Sequence, residues 1–377
     1  MSSSLPTSQQ RLLSMAVVAV VVAVAGFVID SFRDEPEPAA APAQSTAEVE
    51  EVVETPVEEM SSEIAVSGSS TVFPIVQLQA ERFEEIAPGV AISVDNPGSG
   101  DGAQLFCQGE VQITNASRLF KPEEVALCAE NGVEFIELRR GIDGITVITS
   151  PENDDIDCLS FNDLYALVSS EAQGFESWSD ANALTSSWGG TQFPDGLELD
   201  VFGPGEESGT FDSFGEIVIE AVADGDTGLD VDSREFVETI RADYSSSPND
   251  NTIIEGISST THSIGWVGFA FAAEAAEAGD ARLLQVSVED GGTCVTPTEE
   301  TIGGASFPIA RFLYTYVNAA AVEEDQALEA FVDYMMSDEG LEAVSEVGYV
   351  DLNGADAARA KTVWLAKLTG QGQWSED

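Results

Sequence analysis

Two long extended runs constrain this chain more than any other feature. Ile142–Ser150 is dominated by β-branched residues, and Phe307–Val317 is a second extended run far along the chain. Around them, from Glu63 onward, short apolar strands alternate with helical stretches, which argues an α/β fold. Strands are expected at Ile64–Ser67, Val90–Val94, Val111–Asn115, Glu134–Leu138, Leu199–Phe202 and Ile264–Val267. Helices are expected at Phe73–Ile86, Gly102–Gln108, Glu123–Glu130, Ser160–Ser169, Ser208–Ala221, Phe236–Ala242, Asn251–Ser258, Phe269–Ala278, Asp325–Met336 and Asp338–Val347. Two extended runs that bracket a central stretch suit a two-lobed protein with two crossing strands. Residues 63–148 and 310–377 then form lobe I, and residues 149–309 form lobe II.

Three Ser/Gly/Thr-rich turns lead straight into expected helices: Gly68-Ser69-Ser70-Thr71, Gly98-Ser99-Gly100-Asp101-Gly102 and Ser208-Gly209-Thr210. A helix start presents unpaired N–H groups and about half a positive charge, so it attracts anions. Glycine lets the backbone approach a ligand, and Ser or Thr adds a donor hydroxyl. One such turn is ordinary capping. Three in one chain, two on lobe I and one on lobe II, point to an oxyanion held between the lobes, at the carboxyl ends of strands.

Charge sharpens that reading. Lys plus Arg is 14 and Asp plus Glu is 68, giving a formal charge of −54. Such a surface repels nucleic acid and anionic membranes and suits work in high salt. An anion must therefore gain its affinity locally, from N–H groups and a close cation. Residues 1–30 hold Arg11 and the apolar run Leu12–Ile29, a signal peptide or an N-terminal membrane anchor. Ala23-Val24-Ala25 fits a cleavage site, whereas continuation of the run to Ile29 favours the uncleaved anchor. Either way the remainder is exported, and the membrane is met only through this segment. Residues 31–62 are an acidic Pro/Ala/Glu-rich linker, expected not to pack. Four cysteines in an exported chain imply two disulfides. Of the three pairings, Cys107–Cys128 and Cys158–Cys294 are favoured, the first closing a local loop and the second tying distant parts.

The segments that carry a family likeness run from Ile64 to Leu352. They are GSSTVFP at 68–74, NPGSGDGAQLFCQGEVQITNASR at 96–118, FGPGEESGTFDSF at 202–214, DYSSSPNDN at 243–251, SIGWVGFA at 263–270 and TIGGASFPIARFLYTYV at 301–317. Together they resemble the substrate-binding proteins of phosphate ABC transporters. The resemblance implies a two-lobed periplasmic-binding-protein fold of type II-like form, inorganic phosphate as ligand and a membrane permease as partner. It also implies ligand contacts from Ser70, Thr71, the N–H of Val72, Ser99, Ser208, Gly209 and Thr210. Well-known members carry an Asp, which accepts a hydrogen bond from protonated phosphate, where this chain has Arg118. They also carry an Arg at the position of Pro204. The chain has thus moved a cation to lobe I and lost that acceptor.

Arg118 suits bidentate oxyanion binding, or a structural bridge to an acidic neighbour. Asp212 could orient an Arg or accept a proton from hydrogen phosphate, and Arg241 with Asp243 is a further cleft candidate. Catalysis is disfavoured: Ser208 sits one place late for a nucleophile elbow, and His262, the only histidine, lies in a polar run. No spacing suggests a metal, no cofactor is implied, and a monomer is expected. Other tetrahedral oxyanions, or a surface-anchored structural or adhesion role, are the competing readings.

Overall fold

The computed structural model describes residues 55–206, 208–231 and 236–374. The apolar run and the linker up to residue 54 lie outside them. The first lobe opens with β1 (Ser62–Gly68), α1 (Phe73–Ile86), β2 (Val90–Val94), α2 (Ser99–Cys107), β3 (Ile113–Ala116) and α3 (Pro122–Glu130). The first crossing strand, β4 (Phe135–Thr149), leads into β5 (Cys158–Ser160), α4 (Phe161–Val168), α5 (Asn182–Thr185), β6 (Val201–Gly203), α6 (Gly209–Phe214) and α7 (Glu220–Ala223). Next come β7 (Ser245–Ser246), α8 (Asp250–Ser259), β8 (Ile264–Gly268), α9 (Phe269–Ala278), β9 (Arg282–Leu283), β10 (Gln285–Ser287) and α10 (Glu299–Gly303). The chain returns along β11 (Ala310–Asn318) and ends in α11 (Ala319–Glu324), α12 (Gln326–Met335), α13 (Asp338–Glu346) and α14 (Gly354–Leu365).

The main sheet runs β2-β1-β3-β11-β4-β8-β6-β7, with β9 on β4. Its β1–β2, β1–β3, β6–β8 and β6–β7 pairs are parallel, as crossovers through helices demand, whereas β4 and β11 run antiparallel through its middle. The apolar cores divide where these two strands cross. One core draws on residues from Ile64 to Leu138 and from Leu313 to Trp374, and another on residues from Ile142 to Ile309. Disulfides join Cys107 to Cys128 and Cys158 to Cys294. The first pins α2 to α3, and the second ties β5 to the segment after β10.

Several expectations need correction. The strands expected at Glu134–Leu138 and Ile142–Ser150 are one strand, β4. The intervening Arg139 and Arg140 are part of it. Arg139 lies over the Phe312 ring at 3.6 Å, and buried Arg140 donates to Met335 O at the end of α12. The helix expected at Ser208–Ala221 is interrupted by a π-turn over Gly215–Ile219. Phe236–Ala242 is not helical. Its backbone bonds elsewhere, with Val237 N–H donating to the Tyr165 hydroxyl and Arg241 N–H to Val168 O. The linker also ends early, since Val57 and Met60 pack on the first core and β1 begins at Ser62. Apolar side chains, few as they are, settle that boundary.

Candidate oxyanion site

In two of the three turns one glycine answers to packing. A Cβ on Gly68, whose φ is +139°, would lie 2.2 Å from Asn115 O, and one on Gly102 would lie 2.3 Å from Gly68 Cα. These glycines let α2 seat on the end of β1. The third turn differs. A Cβ on Gly209 would lie 3.0 Å from Thr71 Cα and 3.0 Å from the Tyr349 hydroxyl. Its glycine therefore lets the start of α6, on lobe II, press against the turn before α1, on lobe I.

Side chains reinforce that contact. Ser70 Oγ donates to Asp212 Oδ2 at 2.6 Å, and the Thr71 and Ser213 hydroxyls lie 2.9 Å apart. Arg311, on crossing strand β11, reaches both: its Nη2 donates to Ser213 Oγ at 2.8 Å and to Thr71 Oγ1 at 3.3 Å. Nη1 meets Glu216 at 2.6 Å, and Nε lies 3.5 Å from Asp143 on β4. One guanidinium thus touches lobe I, lobe II and both crossing strands, which its rigid fork of donors allows.

Beside this contact lies a cavity of about 260 Å³. Ser208, Gly209, Thr210, Asp143, Asp250 and Tyr349 are among the residues that line it. A water takes about 30 Å³ of liquid, so the space suits a tetrahedral oxyanion with some water. Ser208 caps α6, its Oγ accepting from Thr210 N–H at 3.2 Å. Asp143 is 1% exposed; burial pushes its carboxyl up, against the pull of Arg311 and Ser213.

The other candidates lie apart from the cavity. Val72 is fully buried in the first core. Ser99 opens α2 and accepts from Ser117 N–H at 3.2 Å. Arg118 is held by Glu124 through two bonds of 2.8 Å, and its Nη2 would lie 3.8 Å from a Cβ on Gly100. Glu124 raises its pKa while burial opposes, and Glu216 across the cleft adds to the rise. Arg118 therefore has the acidic partner that the bridging reading required. Asp212 is engaged by Ser70 and lines a separate hollow with Glu216 and Glu238. Arg241 pairs with Asp243 at 2.6 Å and borders another. Among the described residues, no group of three His, Cys, Asp or Glu could hold a metal, and no helix is long and apolar enough to cross a membrane.

Sequence reasoning missed Arg311, Asp143 and Tyr349. Arg311 and Asp143 sit inside runs read only as strands. Only the rarity of charge within such apolar runs signalled them, and what brings them together is the crossing of β4 and β11.

A two-lobed α/β protein with a helix start facing a partly open cavity between the lobes has the form of a solute receptor. The PBP superfamily domain matches residues 37–339, and the chain belongs to that superfamily. Protein SphX of Synechocystis is 33% identical over 296 residues, 78% of this chain and 79% of the relative. The phosphate-binding protein PstS of Staphylococcus aureus is 28% identical over 293 residues, again 78% and 79% of the two chains. Among solved structures, a possible phosphate binding protein from Planctomyces limnophilus superposes with a TM-score of 0.70 and 28% identity, over 82% of this chain and 99% of the other. PstS from Borrelia burgdorferi, with a TM-score of 0.51 and 24% identity over 77% and 99%, shares the fold.

Proposed function

We propose that this chain captures inorganic phosphate outside the cytoplasmic membrane and delivers it to the permease of an ABC importer. The observation that carries the reading is the Ser208-Gly209-Thr210 helix start, pressed on the Ser70-Thr71 turn and opening onto a partly open cavity. The likeness to the phosphate-binding protein of Staphylococcus aureus supports it. Ser208, Gly209 and Thr210, which line the cavity, are the proposed first contacts; Ser70, Thr71, Val72, Ser99 and Arg118, which lie outside it, are proposed to reach the ligand only as the lobes close, with Arg311 as the cation that Pro204 does not supply. The lobes divide at about residues 148 and 309, the protein works as a monomeric receptor rather than an enzyme, and its N-terminal segment directs export and tethers it.

Isothermal titration of residues 55–377 with phosphate, arsenate and sulfate in high salt tests the reading. One phosphate per chain is expected, with a smaller scattering radius as the lobes close on it. Heat and contraction with another oxyanion, and none with phosphate, overturns it.

A further inference from the structure

Resting on the phosphate reading, we infer that Tyr349 binds the ligand, as a neutral hydrogen-bond donor that the C-terminal part of lobe I brings to the cavity. A ligand draws two lobes together only through contacts it makes with both. Lobe II offers the start of α6, where Ser208 Oγ takes Thr210 N–H and the N–H of Gly209 beside it has no partner inside the helix. Lobe I has to answer with a donor that faces this start, keeps its proton and is held in place.

Tyr349 meets those conditions. After α13 the chain turns at Gly348, whose φ is +93°, and Val350 exchanges backbone bonds of 2.8 and 2.9 Å with Ile142 on β4. The residue between them is thereby pinned at the first crossing strand. Tyr349 is 9% exposed and lines the cavity with Ser208, Gly209 and Thr210. A Cβ on Gly209 would lie 3.0 Å from its hydroxyl, so that hydroxyl stands over the helix start. Among the described residues the hydroxyl has no hydrogen-bond partner. A buried polar group left in that state costs stability unless a ligand or water completes it. Burial, with Asp143 nearby, pushes the hydroxyl well above the ordinary tyrosine range, so it keeps its proton and stays a donor. Asp143 and Asp250 also border the cavity and repel an anion, so affinity there must come from donors such as this one.

Tyr349→Phe removes the hydroxyl and keeps the ring. Tyr334→Phe does the same to a tyrosine on α12 that is equally buried but outside the cavity. Both variants and wild type, as residues 55–377, are titrated with phosphate. A hydrogen bond to a charged ligand is worth roughly ten- to hundredfold in affinity, so Tyr349→Phe should weaken phosphate by that factor and Tyr334→Phe should not. Ligand-free melting curves of wild type and Tyr349→Phe should coincide, because the hydroxyl has no protein partner to lose. A phenol that donates to an anion absorbs at longer wavelength. Phosphate should therefore evoke a tyrosine difference band in wild type and Tyr334→Phe that Tyr349→Phe lacks. The inference fails if Tyr349→Phe binds phosphate within about twofold of wild type, or if it keeps that band. Either result leaves the phosphate reading standing, whereas a wild type that takes up no phosphate overturns both.

Discussion

Gly209 and Arg311 illustrate two ways in which one residue governs the meeting of lobes. Gly209 acts by absence, since any Cβ would press on Thr71 Cα at 3.0 Å. Gly209→Ala should therefore hinder closing while leaving the ligand-free fold intact. Overpacking of this kind costs about 1–3 kcal/mol, a loss of roughly 5- to 150-fold in phosphate affinity. Titration calorimetry beside a ligand-free melting curve checks this. An unchanged affinity with a lowered melting temperature would place the contact in folding rather than closure. Arg311 acts by reach, joining Thr71, Ser213, Glu216 and Asp143.

The elements themselves were largely legible in the residues. The helix expected at Phe269–Ala278 has those bounds, and apolar spacing placed α1, α12 and α13 to within a residue or two. What stayed illegible depended on distant partners: β4 runs through two arginines because Phe312 and the end of α12 receive them. The site was half legible. The Ser/Gly turns announced themselves by composition, but Asp143 and Arg311 gain meaning only from strand register. The same strand holds Glu137, fully buried, with neither carboxylate oxygen hydrogen-bonded. Burial pushes its pKa from 4.5 to about 7, with Tyr316 and Arg139 only partly offsetting it. Between those values the folded chain holds a proton that the unfolded chain has released. Its contribution is intact below pH 4.5 and is lost as pH rises towards 7. Relative to Glu137→Gln, wild type should thus lose on the order of 3 kcal/mol across that window. Denaturant titrations of both proteins at several pH values measure it, and parallel curves would show that Glu137 is not the titrating group.

Across the whole molecule, the formal charge of −54 sets the conditions under which the fold persists. Like charges repel across the compact surface, and raising salt from about 0.1 M to 1 M shortens their range from roughly 10 Å to 3 Å. Stability should rise with sodium chloride over that range. A gain of about 2 kcal/mol would lift the melting temperature of a fold this size by roughly 3 °C, readable by calorimetry, and a flat response would mean that local pairing already neutralises the repulsion. The crossing strands carry a different consequence. Ile145 N–H donates to Ile309 O at 2.9 Å, and Gly144 pairs with Ala310, so the second lobe leaves and rejoins the chain at one doorway. In engineering terms it is a cassette. The doorway can be closed by a tight hairpin turn to leave the first lobe as a continuous chain, or filled with a foreign domain whose own ends lie close together.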